Sequence, residues 1–322
     1  MTFAKAQLLK VAGAAVSVWL LQSAAVHASE PVFRSLDGSV ALRGGFGFKN
    51  ITANELVYSG GQRLSQLIWT SKYMRVLSAE LKVDLDSGWV FRANGGVGFG
   101  GNGHMEDYDW ISPYATGTGN DDWSHQSIHP DTRLDRFFEA GVEVGRELAG
   151  NASGSVDLTG GFKYTNVKWT TWGGSYLYSS GGFRNTSGTI ASTTRGITFE
   201  QRLPVVFAGL NGESVYGDWT FSSKLRGGFT VGAGDIDNHW LRNLRFEDKY
   251  RIAPVLEVEA SAAYRFSNRI SAFASAGFEK IFRAYGDITQ TNTSTGSSQT
   301  YAGAAGGDYQ SIGVSFGLKG QF

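Results

Sequence analysis

The chain has 322 residues, with 29 basic and 29 acidic side chains and no cysteine. Absent cysteine excludes a disulfide scaffold, a thiol nucleophile and a cysteine–zinc centre, and zero formal net charge argues against a dedicated nucleic-acid binder. Glycine is abundant at 44 residues, yet only 5 prolines and 13% aromatic residues do not fit a disordered or collagen-like chain.

Residues 1–28 read as a secretory signal peptide. Lys5 and Lys10 supply the positive start, Val11 to Leu21 the apolar centre, and Val26-His27-Ala28 the small-residue cleavage site. The mature protein is then expected to run from Ser29 to Phe322 as one domain. Beyond residue 28 nothing approaches the ~18 apolar residues of a membrane helix. An exported bacterial-type chain of this kind is periplasmic, secreted, or an outer-membrane barrel.

The body alternates with period two, the mark of half-buried strands. Leu77, Ala79, Leu81, Val83 and Leu85 alternate with Glu80, Lys82 and Asp84. Phe138, Ala140, Val142 and Val144 alternate with Glu139, Glu143 and Glu147. Trp219, Phe221, Leu225, Phe229 and Val231 alternate with Lys224 and Arg226, among others, and Leu256 to Phe266 repeats the pattern against Glu257 and Glu259. Ile312, Val314, Phe316 and Leu318 end the chain on one face, with Phe322 last. A soluble sandwich turns its charged face outward, whereas a barrel in lipid turns it inward. Alternation does not separate the two; the signal peptide, the terminal phenylalanine and the glycine-rich strands favour the barrel.

Short turns are expected at residues 86–88, 149–151, 211–213 and 267–268. Long polar connections are expected near 58–63, 104–133, 173–194, 235–250 and 288–308. That alternation gives a ten-stranded antiparallel transmembrane β-barrel. It allots roughly 29 residues to each strand and its connection, where a spanning strand needs only ~9–11. The surplus implies long strands beyond the membrane or large extracellular loops. So narrow a barrel should be filled by side chains, which speaks against a porin.

His104, His125, His129 and His239 all fall in the long connections, together with Glu106, Asp107, Asp109, Asp121, Asp122, Asp131, Asp235 and Asp237. Carboxylates and imidazoles gathered at a barrel mouth suit general acid–base chemistry. In Asp235-Ile236-Asp237-Asn238-His239, residues i and i+2 share a face, so Asp237 would orient His239 as a base. In Asp107-Tyr108-Asp109-Trp110 two carboxylates share a face, and crowding like charges raises at least one pKa.

These blocks, with Glu55-Leu56-Val57-Tyr58, Gly60 to Leu67, His129-Pro130-Asp131-Thr132, Gly173-Gly174-Ser175-Tyr176 and Gln201-Arg202, resemble the omptins, outer-membrane endopeptidases on a ten-stranded barrel. The resemblance runs over essentially the whole mature chain. It implies that Asp237 and His239 are the catalytic pair, that Asp107 and Asp109 face them, and that a water between the pairs is the nucleophile. It matches Ser127 to a serine near the site. It implies that Glu55 and Asp235 line the pocket for the residue before the cut, so that polypeptides are cleaved after Arg or Lys. It also implies a lipopolysaccharide requirement, with Arg202 and Arg251 at basic positions of that contact, no other cofactor and no metal. The chain is expected to be a monomer in the outer membrane, with its site on the extracellular side.

The chain departs from the family at several positions. His125 stands where an acidic residue usually faces the position after the cut, and nearby Asp121 or Asp122 could compensate. Ile68 replaces an acidic residue, and Phe162, Tyr164 and Asn166 replace tyrosine, acidic and arginine positions of the lipid site. Two rival readings stand beside the protease. One is a zinc site from His104, Asp107, Asp109, His125 and His129. The other is a non-enzymatic adhesin or receptor barrel that binds through Trp110, Trp123, Trp172, Tyr176, Tyr178 and Trp240. Gly95-Gly96, Gly98 and Gly100-Gly101 lie in a strand pattern with no following helix, so they are not a phosphate loop.

Overall fold

The computed structural model describes residues 40–322; the signal-peptide expectation lies outside them. Thirteen strands form one sheet: β1 Val40–Ser59, β2 Gln62–Asp84, β3 Trp89–Phe99, β4 Asn102–Asp109, β5 His125–Asn151, β6 Gly154–Tyr178, β7 Thr186–Tyr216, β8 Trp219–Thr230, β9 Gly234–His239, β10 Leu244–Tyr250, β11 Pro254–Arg265, β12 Ile270–Asn292 and β13 Ser298–Gln321. Three neighbouring segments are single staves with a break. β3 runs on into β4 past Gly100 and Gly101, both at positive φ, β8 into β9, and β10 into β11. The result is ten staves. β1 pairs with β13 and β7 with both β8 and β9, so the sheet closes on itself. Closure leaves no strand edge, which is the condition for crossing lipid with strands.

The expected alternation is what positions everything else. Phe46, Leu77, Val97, Val142, Leu158, Leu210, Leu225 and Phe316 are exposed on the outer wall. Trp89, Tyr216, Trp219 and Tyr264 form an exposed aromatic girdle at one end, as at a membrane interface. Charges fill the lumen inside this band. Glu143 accepts from Arg92 at 2.9 Å and from Arg226 at 2.6 Å. Arg226 also reaches Glu257 at 2.9 Å, and Lys163 reaches Glu257 at 3.2 Å and Glu279 at 2.9 Å. These groups are buried, so each pair must offset a desolvation cost of several kcal/mol per ion. Above this plug Trp69 stacks on Phe199 and Trp169, at 5.2 and 6.0 Å between ring centroids. Side chains occupy the lumen, as its width requires, with cavities left among the charged groups around Lys224 and Lys163.

At the girdle end the connections are short, at residues 86–88, 152–153, 217–218 and 266–269. The turn expected at 211–213 is not there. Asn211-Gly212 looks like a hairpin turn, but Asn211 points inward and donates to Glu143 at 2.6 Å, and Gly212 pairs with Val156 and Ser223. Tertiary pairing overrides the local turn signal, and the hairpin closes at Gly217, at φ +59°. At the other end the surplus chain is mostly strand. Gly60 and Gly61 alone, at φ +59° and +79°, turn β1 into β2. The one long connection there is 110–124. The strands therefore carry a second tier of barrel above the apolar band, and the candidate residues sit within it.

Candidate active site

β4 and β9 lie four staves apart around the ring and turn their acid pairs toward each other across the lumen. On β9, Asp235, Asp237 and His239 point inward, as the i, i+2 spacing requires. The His239 Nε2–H donates to Asp237 Oδ2 at 2.5 Å, and Phe246 of β10 packs edge-on against the imidazole, 5.2 Å between centroids. On β4, Asp107 and Asp109 point inward. Ser65 of β2 hydrogen-bonds both, and Arg242, in the turn after β9, draws both electrostatically.

Burial first, then the charges of Asp109 and Asp237, push the Asp107 carboxyl well above the usual range. Burial also raises Asp109. The pair is therefore biased toward sharing a proton. Asp107 Oδ1 and Asp237 Oδ1 are buried without a hydrogen-bond partner among the described residues. One unpaired oxygen from each pair is a deficit that a water or a substrate group would relieve.

The structure brings the four residues expected to do the chemistry to one place. It also explains the neighbours. Ser127 stands directly across the β4–β5 ladder from Asp107, and His125 across from Asp109. Ser127 Oγ donates to His129 Nε2 at 3.0 Å, and His129 Nδ1–H donates to the Gly173 carbonyl at 2.6 Å. Burial holds His129 below the usual histidine pKa, so it is a neutral strut with both ring nitrogens engaged. His104 lies on the opposite face of β4 from Asp107 and bonds Glu106. The five residues of the zinc reading are thus divided between two faces. Asp122 is used inside its own loop, accepting from Gly119 N and Thr116 Oγ1. Asp131 faces out and pairs with Arg133. The aromatic residues mostly hold the rim. Arg63 lies over Trp110, Arg184 over Trp123 and Arg195 over Trp240, each within 3.7 Å of the ring centre.

Glu55 and Asp235 form an acidic pocket beside this cleft. Both are buried. Burial, then Asp237, Asp235, Asp248 and Asp107, raise Glu55 well above the usual carboxylate range. Asp235 is pushed up to about 8, chiefly by burial, although the Tyr250 hydroxyl donates to it. Sequence reasoning missed Arg242, Asp248 and Tyr250 here, carried Ser65 only inside a family block, and named Tyr178 only as an aromatic of the adhesin reading. Burial and the Asp107–Asp109 charge push Tyr178 up to about 12. Asp248 stands directly opposite Asp235 on β10, and burial with the neighbouring aspartates pushes it up to about 10.

The two basic positions are on the outer wall. Arg202 is held by Glu200 at 2.9 Å, and the same Glu200 carries Arg136 at 2.8 Å and Lys168 at 3.9 Å. Asn166, at a departure from the family pattern, accepts from Arg136 and donates to Glu200. Arg251 is exposed just past the end of β10, which is separated from β7 by β9, and it lies two residues past exposed Lys249. The cationic surface is fuller than Arg202 and Arg251 alone suggested.

Fold and site together define a transmembrane β-barrel with two facing acid groups and one histidine in its mouth. The chain belongs to the omptin family, whose family model matches residues 37–322. It is similar to the plasminogen activator of Yersinia pestis, 26% identical over 313 residues, covering 96% of this chain and 98% of that protein. It is similar to outer membrane protease OmpP of Escherichia coli strain K12, 25% identical over 271 residues, covering 82% and 83%. The crystal structure of outer membrane protease OmpT from Escherichia coli has the same fold, with a TM-score of 0.84 at 22% identity over 91% of this chain and 100% of that one.

Proposed function

We propose that the protein is an outer-membrane endopeptidase that cuts polypeptides after basic residues. Membership of the omptin family and the protease names of its relatives support the coarser part, a protease of the outer membrane. The Asp237–His239 hydrogen bond, facing the half-buried Asp107–Asp109 pair, carries the mechanism. Asp237 binds Nε2–H and so leaves Nδ1 as the basic nitrogen. A water between the pairs gives its proton to His239 as its oxygen attacks the scissile carbonyl. Asp107 and Asp109 share a proton and stabilise the oxyanion of the tetrahedral intermediate. The intermediate collapses, the C–N bond breaks, and the imidazolium returns the proton to the leaving amine. No acyl-enzyme forms.

Glu55 and Asp235 receive the side chain before the cut. An uncharged guest would leave buried carboxylates unpaired, so the pocket selects a cation. The site faces the cell exterior, because the end with short turns belongs inside in such barrels. Lipopolysaccharide phosphates bind the wall carrying Arg202 and Arg251 and activate the enzyme. The test is digestion of a peptide with one internal Arg by refolded protein, with and without lipopolysaccharide. Cleavage on the carboxyl side of that Arg is expected; an intact peptide under both conditions removes the proposal and leaves the adhesin reading.

A further inference from the structure

The acidic pocket contains more carboxylate than the reading above uses. Asp248 of β10 faces Asp235 of β9 across the strand pair, and its charge is felt at Glu55 on β1. It is 5% exposed. Both of its oxygens lack a hydrogen-bond partner among the described residues, as do Glu55 Oε2 and Asp235 Oδ1. Tyr250 closes the base of the pocket. Its hydroxyl donates to Asp235, and its ring runs against Gly307 of β13, where an added Cβ would lie only 2.6 Å from the ring carbon bearing that hydroxyl. The largest influences on Glu55, Asp235 and Asp248 are burial, the neighbouring aspartates and the Tyr250 hydroxyl.

When a cationic guest enters and these carboxyls give up their protons, the four buried oxygens become acceptors that it must serve. A lysine ammonium has three N–H donors and cannot serve four acceptors. An arginine guanidinium has five donors in a planar fork and can. An acceptor left buried and unmet weakens binding by roughly tenfold or more. Resting on the basic-residue reading above, we infer that Asp248 is a third wall of the specificity pocket and makes it select arginine over lysine.

The experiment uses two peptides identical except for Arg or Lys before the cut, with kcat/KM measured for the wild-type protein and for Asp248→Asn. The wild type is expected to prefer the Arg peptide by roughly tenfold or more, and Asp248→Asn to bring the two rates to within about threefold by weakening the Arg reaction. A wild type that cuts after Arg with a ratio that Asp248→Asn leaves unchanged overturns the inference and spares the protease reading. A wild type that cuts neither peptide overturns both. Because a variant can misfold, the wild type alone is also inhibited with an alkylguanidine and an alkylamine of equal chain length. Tighter inhibition by the guanidine supports the third wall, and equal inhibition counts against it.

Discussion

His239 Nε2 lies 2.5 Å from Asp237 Oδ2, two residues along the same face of β9. Donation from Nε2–H to the carboxylate leaves Nδ1 as the unprotonated nitrogen of the neutral ring. General-base catalysis of this kind contributes ~10²–10⁴-fold. His239→Ala is therefore expected to lower kcat by that factor with the barrel intact, and Asp237→Asn to lower it through loss of orientation. Turnover of the Arg peptide, measured beside a heat-modifiability gel for folding, checks both. An unchanged kcat in His239→Ala removes the dyad.

Asp107 holds its proton far longer than an ordinary aspartate, because it is buried beside Asp109 and Asp237. Its carboxyl therefore loses its proton at higher pH than an ordinary aspartate does, on the alkaline side of the usual carboxylate range. Activity should fall on that alkaline side, as the shared proton is lost and three carboxylates repel. Asp107→Asn keeps a neutral, uncharged group there at every pH. It is expected to retain part of the neutral-pH rate and to lose the alkaline limb of kcat. A pH–rate profile in which the limb survives in the variant assigns the proton elsewhere.

Much of this site was legible because parity is local. Asp237 and His239, or Asp107 and Asp109, share a face on any extended strand, and the family blocks carried Glu55 and Asp235. Asp248 was not legible. Within Glu247-Asp248-Lys249-Tyr250 it reads as one more charge in a polar connection, and only the β9–β10 register, opposite Asp235, turns it inward. Tyr250 was hidden for the same reason. Asn211-Gly212 failed in the other direction, since its turn signal is local while the partner that straightens it, Glu143, is 68 residues away. The long rim connections also read as loops, because polar strands above the lipid lack the outward apolar residues that mark strands inside it.

Glu143 is the junction of the lumen network, holding Arg92, Arg226 and Asn211 at once. Removing it leaves buried guanidinium groups short of a partner, which costs about 3–5 kcal/mol. Glu143→Ala is expected to lower the urea midpoint of the detergent-solubilised barrel by a corresponding amount. The site is in the upper tier, so kcat/KM of the fraction that folds should stay near the wild-type value. A midpoint within error of wild type would mean that water replaces the lost carboxylate.

Asp248 should cost the protein stability, and the cost should depend on pH. Its folded value is raised to about 10, whereas an unfolded aspartate ionises near about 4. Below that lower value both states are protonated and the residue is neutral in its effect. As pH rises past it, the unfolded chain loses the proton and the native state keeps it, so stability falls, and the fall continues until the folded value is reached. At about 1.4 kcal/mol per unit, the penalty near neutrality is on the order of a few kcal/mol. Asp248→Asn removes the ionisable group at nearly the same volume. The variant and the wild type are expected to unfold at similar urea concentrations near pH 4, and the variant at clearly higher urea near pH 8. The opposite ordering at the higher pH would show that Asp248 is ionised and paired in the folded protein.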